Sequence, residues 1–227
     1  MSTILALDTT TDNCSVALAI DAKISQIIKV LPREHNKHIH IMIAEILKLN
    51  NKSLRDIDYI AVTVGPGSFT GIRLGLSVAQ GLAFGLGIKI IPVSSLLAIA
   101  INYFAEHDKG PVLVGLDARM GEIYWAIYDF DSKMNKVVVA VPDSLSEPSR
   151  VNDKQINVSA VVGRVWELYA ESLSGIAAQK TTQLKLNSNP KAEHVAAFAI
   201  ANIDIAQEIT AVRATYLRNN VAHKKTR

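Results

Sequence analysis

The chain contains one structural unit twice. Residues 4–20, ILALDTTTDNCSVALAI, consist of an apolar strand that ends at Asp8, a polar turn and a second strand. Residues 110–130, GPVLVGLDARMGEIYWAIYDF, have the same order, and the first strand again ends at an aspartate, Asp117. An internal repeat predicts two lobes of related topology. We assign residues 1–108 to an N-terminal lobe and 109–227 to a C-terminal lobe, whose last helix and tail are candidates to return to the first lobe.

The rest of the chain alternates between strand and helix patterns, which makes the class mixed α/β. After a third strand, apolar residues at i, i+3, i+4, i+7 and i+8 predict a helix over about 35–49, and a glycine-rich stretch opens a second helix over about 71–87. Further strands are predicted at DIDYIAVTVG, IKIIPV, KVVVAV and INVSAVVG, and a loop at 142–154. Further helices are predicted at SSLLAIAINYFAEH, with Ser94 as N-cap, and at RVWELYAESL. A last helix runs from an Asn189-Pro190 cap to about Ala206.

Composition excludes several classes of protein. A hydrophobic content of 49% permits a packed core and argues against disorder, and a net charge of +3 is too small to indicate nucleic-acid binding by itself. The single cysteine, Cys14, excludes an internal disulfide and favours a reducing compartment. The N-terminus lacks the basic region of a signal peptide. Arg73, Lys89 and Pro92 divide the apolar stretch 71–104 into runs too short to span a membrane. We expect a cytoplasmic protein without membrane contact.

The stretch GPGSFTGIRLG, residues 65–75, follows a buried strand and opens a helix, which is where phosphate loops lie. The Walker pattern requires a lysine after its last glycine, whereas Gly71 is followed by Ile72 and Arg73. A glycine inside a helix costs about 0.5–1 kcal/mol relative to alanine, which favours close packing of another element on this helix. A phosphate loop and a close-packed helix seam both stay open, and Arg73 could pair across such a seam or lie plainly on the surface.

Other catalytic patterns have little support. The nucleophile elbow is G-x-S-x-G, whereas Ser68 directly follows a glycine. His35, His38 and His40 lie close together, but beyond the adjacent Glu34 no cysteine or acidic residue completes a ligand set at the usual spacing. We therefore predict no metal site.

Five motifs together resemble the bacterial TsaB family: ILALDTTTDNCSVAL, PREH, GPGSFTGIRLGLSVAQGLA, LDARMGEIYWA and YLRNNVAHKK, in order from residue 4 to residue 225. The resemblance implies a two-lobed actin-like, sugar-kinase-like ATPase fold of tandem ribonuclease-H-like lobes, the second one reduced. It also implies a non-catalytic partner subunit. Such a subunit works with a TsaD homologue and a TsaE homologue, which transfer threonylcarbamoyl from threonylcarbamoyl-AMP to the anticodon-adjacent adenosine of tRNAs. Self-association as a homodimer and at most weak or indirect tRNA contact are implied as well.

The resemblance places vestigial phosphate loops at the two repeated turns. These are Asp8, Thr9 and Thr10 in the first lobe and Asp117 in the second. Glycine lets the backbone approach a phosphate closely, but the first turn contains none. Gly163 is a lone candidate for the adenosine-binding glycines of the second lobe.

The resemblance also bears on metal and cofactor. The iron-binding histidines of TsaD-like proteins correspond to Ser95 and Ile99 here, and isoleucine cannot ligate a metal. We expect no metal and no cofactor, with ATP or ADP bound only in a complex with partners.

The resemblance assigns the partner or dimer interface to the two predicted helices. Its residues are His35, Ile39, Met42, Ile43 and Ile46 on the first helix and Gly71, Arg73, Gly75, Val78 and Leu82 on the second. The alternative is that both stripes pack only into the chain's own sheet, which needs helices to cover it. We prefer an interface together with a core role, because Ile41 and Ala44 give the first helix a second apolar side. The alternative functions are a stand-alone small-molecule kinase or ATPase of the same fold, and a peptidase based on Ser68.

Overall fold

The structure is a computed structural model that describes residues 2–107, 110–134, 136–152, 157–177, 183–185 and 188–218. Its strands form two five-stranded sheets. The first sheet has the order β3-β2-β1-β4-β5, and the second has the order β10-β9-β6-β7-β8. The strands are β1 Thr3–Asp8, β2 Asn13–Ile20, β3 Lys23–Val30, β4 Tyr59–Gly65, β5 Lys89–Ser94, β6 Val112–Arg119, β7 Glu122–Asp131, β8 Lys136–Ser146, β9 Ala160–Val162 and β10 Gln183–Lys185.

Both sheets have the same topology, which confirms the repeat seen in the sequence. In the first sheet, β1 pairs antiparallel with β2 and parallel with β4. In the second sheet, β6 pairs antiparallel with β7 and parallel with β9. The first strand of each unit is therefore central, and its aspartate lies at the strand's carboxyl end, where a polar turn leads into the antiparallel partner.

Seven α-helices are described in these ranges. Four pack around the first sheet, and the second lobe has only short helices of four or five residues among the described ones. The helices are α1 His35–Leu49, α2 Phe69–Leu86, α3 Ser95–Phe104, α4 Pro148–Asn152, α5 Val165–Leu168, α6 Ser174–Ala177 and α7 Ala192–Ala201.

The centre of the first sheet is buried on both faces, since every residue of β1 is buried, whereas the edge strand β3 is partly exposed. Leu5 and Leu7 point to one face and pack in the core with α1 and α2. Ile4 and Ala6 point to the other face and pack with α7. This arrangement explains why β1 is continuously apolar and does not alternate with polar residues.

Helix α3 joins the two lobes. Ala98 packs against the first sheet, whereas Leu96, Ile99 and Tyr103 pack against β6 and β7 of the second. The α3 N-cap is Ser94, as predicted, because its hydroxyl accepts from the amides of Leu96 and Leu97. The two sheets thus share a hydrophobic core across this helix.

A hydrogen-bonded bridge reinforces this junction. The Asp143 carboxylate of β8 accepts from the Ser94 hydroxyl at 2.6 Å and from the Tyr128 hydroxyl at 2.8 Å. Burial is the largest effect on the Asp143 carboxyl and raises its pKa. Asp143 belongs to β8, which continues to Ser146. The predicted loop at 142–154 therefore begins too early.

The predicted cap of α7 is wrong. The helix begins at Ala192 and not at Asn189-Pro190, and it ends at Ala201. Its first free amides are satisfied by the first sheet, because Ser15 Oγ accepts from the Ala192 amide and Gln26 Oε1 accepts from the Glu193 amide. Sequence alone does not reveal such caps, since their acceptors lie more than 160 residues away.

Helix α2 has the length and apolarity that a membrane span requires, which differs from the short runs predicted. It is 18 residues long with a mean hydropathy of 1.2. One side of the helix packs on the core of the first lobe, through Leu76, Ala79 and Ala83. A core helix that covers a sheet passes the same test of length and hydropathy, so the test does not identify α2 as a membrane span.

The stripe on α1 yields a stability prediction. Ile46 is fully buried in the core, whereas Ile41 is 58% exposed on the same helix. Ile46→Ala should lower the free energy of unfolding by about 3 kcal/mol, because it leaves a cavity. Ile41→Ala should change it by less than about 0.5 kcal/mol. Urea denaturation of both variants measures this, and equal losses would contradict the packing described here.

Candidate functional site

The turn after β1 is the most polar part of the first lobe's interior. Asp8, Thr9 and Thr10 are almost completely buried. Asp8 Oδ1 accepts hydrogen bonds from the Thr10 hydroxyl at 2.6 Å, from the Thr63 hydroxyl at 2.7 Å and from the Thr10 amide at 3.3 Å. Its other oxygen, Oδ2, is buried without a hydrogen-bond partner among the residues that the structure describes.

This environment changes the acidity of Asp8. Burial raises the pKa of the carboxyl from 3.8 to about 6, and the hydrogen bonds from Thr10 and Thr63 lower it in part. Near neutral pH the folded chain therefore holds a buried carboxylate, which is satisfied on one oxygen only.

The glycine stretch lies directly on this turn. A Cβ on Gly71 would come within 2.0 Å of the Thr9 carbonyl oxygen, and one on Gly75 within 2.6 Å of the Thr9 hydroxyl. A Cβ on Gly67 would lie 2.5 Å from the Thr10 carbonyl oxygen. These glycines thus permit the first turns of α2 to pack against the Asp8 turn.

Hydrogen bonds fix that contact. The Thr9 hydroxyl donates to the Gly71 carbonyl at 2.7 Å, and the Ser68 amide donates to the Thr10 carbonyl at 2.8 Å. The Ser68 hydroxyl oxygen is the N-cap of α2 and accepts from the Gly71 amide. The stretch is therefore a close-packed seam within the chain, and Ser68 serves to begin a helix.

The second repeated turn is held by polar side chains of its own lobe. Asp117 accepts from the Arg119 amide and the Tyr169 hydroxyl, and it forms an ion pair with the Arg119 guanidinium at 3.2 Å. Gly163 has a packing role, because a Cβ there would lie 1.9 Å from the Gly115 carbonyl oxygen.

The predicted interface stripe of α1 faces inward. Ile39, Met42, Ile43 and Ile46 are buried against the first sheet of the chain itself. This stripe therefore packs into the chain's own sheet, and an interface on the other side of α1 stays a prediction. The physical reason is that a sheet buried on both faces needs the widest apolar side of each covering helix.

His35, the remaining predicted interface residue on α1, is also buried. Its Nε2 lies 3.1 Å from the Asn13 carbonyl oxygen. The contact attaches the first turn of α1 to the start of β2. His35 therefore belongs to the fold and not to an exposed surface.

The predicted residues of α2 divide between inside and outside. Gly71, Gly75 and Val78 are buried, and Leu82 is half-buried against the core. Only Arg73 is exposed. The small residues Gly71 and Gly75 mark a close approach, as predicted. The element that packs on them is the Asp8 turn and not a partner helix.

The side of α2 that faces away from the sheet carries apolar and small residues. We call this surface the α2 outer face; it consists of Phe69, Arg73, Ser77, Gly81, Phe84 and Gly85. Phe84 is 81% exposed, and no atom lies within 4 Å of a Cβ built on Gly81 or Gly85. Ile41 occupies the corresponding outward side of α1, which covers the same sheet face.

An aromatic cluster lies at the N-terminal end of this face. The Arg73 guanidinium lies 3.7 Å from the centre of the Phe69 ring, and its Nε donates to the Tyr216 hydroxyl at 2.9 Å. The Phe69 and Tyr216 rings are 5.6 Å apart. The sequence analysis did not predict a role for Phe69, Phe84 or Tyr216. Two phenylalanines on a helix otherwise rich in small residues were the signal that could have indicated this face.

Metal-binding side chains are not grouped in the described ranges. No three His, Cys, Asp or Glu residues of that part of the chain come together as ligands would. Ser95 and Ile99, at the positions of the TsaD-type histidines, are both buried at the lobe junction.

Comparison with known proteins decides the family. The family model described as TsaD, tRNA N6-adenosine threonylcarbamoyltransferase, matches residues 9–226. The tRNA threonylcarbamoyladenosine biosynthesis protein TsaB of Escherichia coli is 36% identical over 98% of this chain and 97% of its own length. The chain belongs to the TsaB family. The TsaB protein of Haemophilus influenzae is 33% identical over 98% of this chain and 96% of its own length.

A solved structure supports the same assignment. YeaZ from Pseudomonas aeruginosa has a TM-score of 0.83 and 31% identity, over 96% of this chain and 100% of that chain. The two repeated sheets, this likeness and the TsaD-type match together identify the actin-like, ribonuclease-H-like ATPase fold that the motifs implied. The second lobe of this TsaB-family chain is reduced in its described helices and not in its strands.

The raised pKa of Asp8 predicts a pH dependence of stability. The folded-state value of about 6 exceeds the ordinary 3.8, so the stabilisation from proton uptake is present below about pH 4 and lost as pH rises through 6. Asp8→Asn keeps an oxygen for Thr10 and Thr63 without the charge. It should raise the free energy of unfolding at pH 7.5 by up to about 3 kcal/mol, and by little at pH 4. Urea denaturation at both values tests this, and a less stable variant at pH 7.5 would refute it.

The seam between α2 and the Asp8 turn yields a matched pair of variants. Gly71→Ala should destabilise the chain by about 2–3 kcal/mol, because its Cβ would overlap the Thr9 carbonyl. Gly81→Ala, in the same helix but with open space around it, should stabilise the chain by about 0.5–1 kcal/mol. Thermal unfolding measures both, and a neutral Gly71→Ala would show that the seam is not tight.

Proposed function

We propose that this chain is a non-catalytic partner subunit in the threonylcarbamoylation of tRNA. Its relatives are named as tRNA threonylcarbamoyladenosine biosynthesis proteins, and its family model is that of the transferase TsaD. The observation that carries the partner role is the α2 outer face, where Phe84 and Phe69 are exposed beside glycines that meet nothing.

Burial of this face would gain free energy in a complex. A phenylalanine that is 81% exposed presents a large apolar area to water, and removing such area from water is favourable by about 25 cal/mol per Å². Gly81 and Gly85 leave room for the backbone of another helix to approach closely. Arg73 adds a charge at the end of the face, which suits an acidic group on the partner.

The partner that we assign to this face is a TsaD homologue, with Ile41 of α1 at the edge of the contact. A second copy of the chain would compete for the same apolar surface when the partner is absent. A TsaE homologue would join the assembled pair, and contact with tRNA would be indirect or weak. The reaction acts on tRNA, which places the proposed complex in the cytoplasm.

The first repeated turn supports a role without independent catalysis. The position of a phosphate loop is filled by α2, since the Ser68 amide donates to the Thr10 carbonyl and the Thr9 hydroxyl to the Gly71 carbonyl. The Ser68 amide and the Thr9 hydroxyl, which are committed in this way, are donors that are not free to bind a phosphate. We propose that the chain needs no cofactor of its own and that ATP or ADP acts only within the complex.

Substitutions that test docking must leave the fold intact. Ile43 is buried and Gly75 lies against Thr9, so large or charged replacements there would disturb folding itself. Phe84→Asp changes only the outer face. A matched control is Val139→Asp, at a position 59% exposed on β8 of the other lobe.

Phe84→Asp should weaken binding of the TsaD homologue by at least ~30-fold, because it places a carboxylate in the centre of an apolar contact. Val139→Asp should bind as wild type, and both variants should unfold at the wild-type temperature. Calorimetric titration of the TsaD homologue measures the affinities. Unchanged affinity of Phe84→Asp would remove the α2 outer face as the docking site.

A further inference from the structure

The segment after α7 runs along the first lobe and ends on the second. We call residues 207–218 the strap. At its start, Gln207 pairs with Ile90 of the β5 edge through backbone hydrogen bonds of 2.8 and 3.0 Å. Further along, the Gln80 side chain of α2 donates to two carbonyls of the strap, each at 3.3 Å. The strap is thus bound to the first lobe along most of its length.

The middle of the strap lies at the beginning of the glycine stretch. The Thr215 amide donates to the Val64 carbonyl of β4 at 2.8 Å, and the Thr215 carbonyl would lie 2.9 Å from a Cβ on Gly65. Tyr216 then contacts Arg73 at the end of the α2 outer face. The conformation of the strap therefore sets the surroundings of Arg73.

The end of the strap binds the second lobe through one side chain. The Arg218 guanidinium donates to the carbonyls of Ala118 and Arg119 at 3.1 and 3.2 Å, and it forms an ion pair with the Glu122 carboxylate. All three acceptors belong to the hairpin between β6 and β7. Arginine suits this position, because its planar donors reach several acceptors at once.

The Arg218 contact is enclosed. The side chain of Arg218 is 17% exposed, and in the described part of the chain its Nε is buried without a hydrogen-bond partner. Breaking a buried pair by removing one partner is costly, because the other charge loses its compensation. Loss of Glu122 would remove the charged acceptor and leave the two carbonyls, which would weaken the hold of the hairpin on Arg218.

We propose that the strap is an inter-lobe lock, in which Arg218 couples the β6–β7 hairpin of the second lobe to Arg73 and Phe69 on the first. The lock requires only the contacts described; its effect on docking rests on the proposed function. When the hairpin holds Arg218, Thr215 and Tyr216 stay in place and Arg73 is held against two aromatic rings. When the hairpin releases Arg218, the strap detaches from the end of β4 and Arg73 loses its position.

Hydrogen exchange of the Thr215 amide tests the lock in the full chain. Glu122→Ala, a change in the second lobe, should accelerate exchange of this first-lobe contact by at least ~10-fold. Glu122→Gln keeps an acceptor oxygen and should give a smaller acceleration. It also keeps the test usable if the alanine variant fails to fold. Arg213→Ala is the matched control, because within the described residues this exposed strap arginine donates to the carbonyl of its neighbour Val212 and to no other acceptor. Wild-type exchange in both Glu122 variants would overturn the lock.

Affinity for the TsaD homologue tests the consequence for docking. Glu122→Ala should bind at least ~5-fold more weakly than wild type, and Arg213→Ala should bind equally well. Faster exchange with unchanged affinity would overturn the coupling to the docking face. If the wild-type chain does not bind the TsaD homologue, the proposed function fails, while the exchange measurement still decides the lock.

Discussion

The contact of α2 with the Asp8 turn determines how the first lobe is organised. Three glycines allow it, since a Cβ at any of these positions would lie 2.0–2.6 Å from an atom of Thr9 or Thr10. The contact buries Asp8 with one oxygen unpaired among the described residues, and it uses the Ser68 amide and the Thr9 hydroxyl as donors within the chain. It also fixes the rotation of α2, so that Phe84 and Phe69 point away from the sheet. The close packing of α2 on the Asp8 turn and the outward position of its apolar face thus follow from one seam.

Much of the fold could be predicted from the sequence, because its signals are local. The repeat of strand, aspartate and turn predicted two lobes, and the helical periodicity predicted α1 from His35 to Leu49 as observed. The start of α7 could not be predicted, because its first amides donate to Ser15 and Gln26 on distant strands. The same limit applies to β8, whose last residues are held by pairing with β7.

The candidate site was predicted only in part. The turn aspartates and the close packing of α2 followed from residue types, but periodicity alone did not tell which side of a helix meets the sheet. An apolar stripe such as Ile39, Met42 and Ile46 fits a core and an interface equally well. The exposed residues Ile41 and Phe84 are as apolar as that stripe and differ from it in their position around the helix axis. Which position faces outward depends on how the helix packs on the sheet. The strap contacts join residues that lie far apart in the sequence, so no local pattern indicates them.

The central claim is that this chain acts by assembling with a partner and not by its own catalysis. The most direct measurement is a reconstituted tRNA threonylcarbamoylation with a TsaD homologue, a TsaE homologue, tRNA and threonylcarbamoyl-AMP, with and without this chain. The account predicts modified adenosine only when the chain is present, and none from the chain without its partners. Equal product in its absence, or product from the chain alone, would contradict the account.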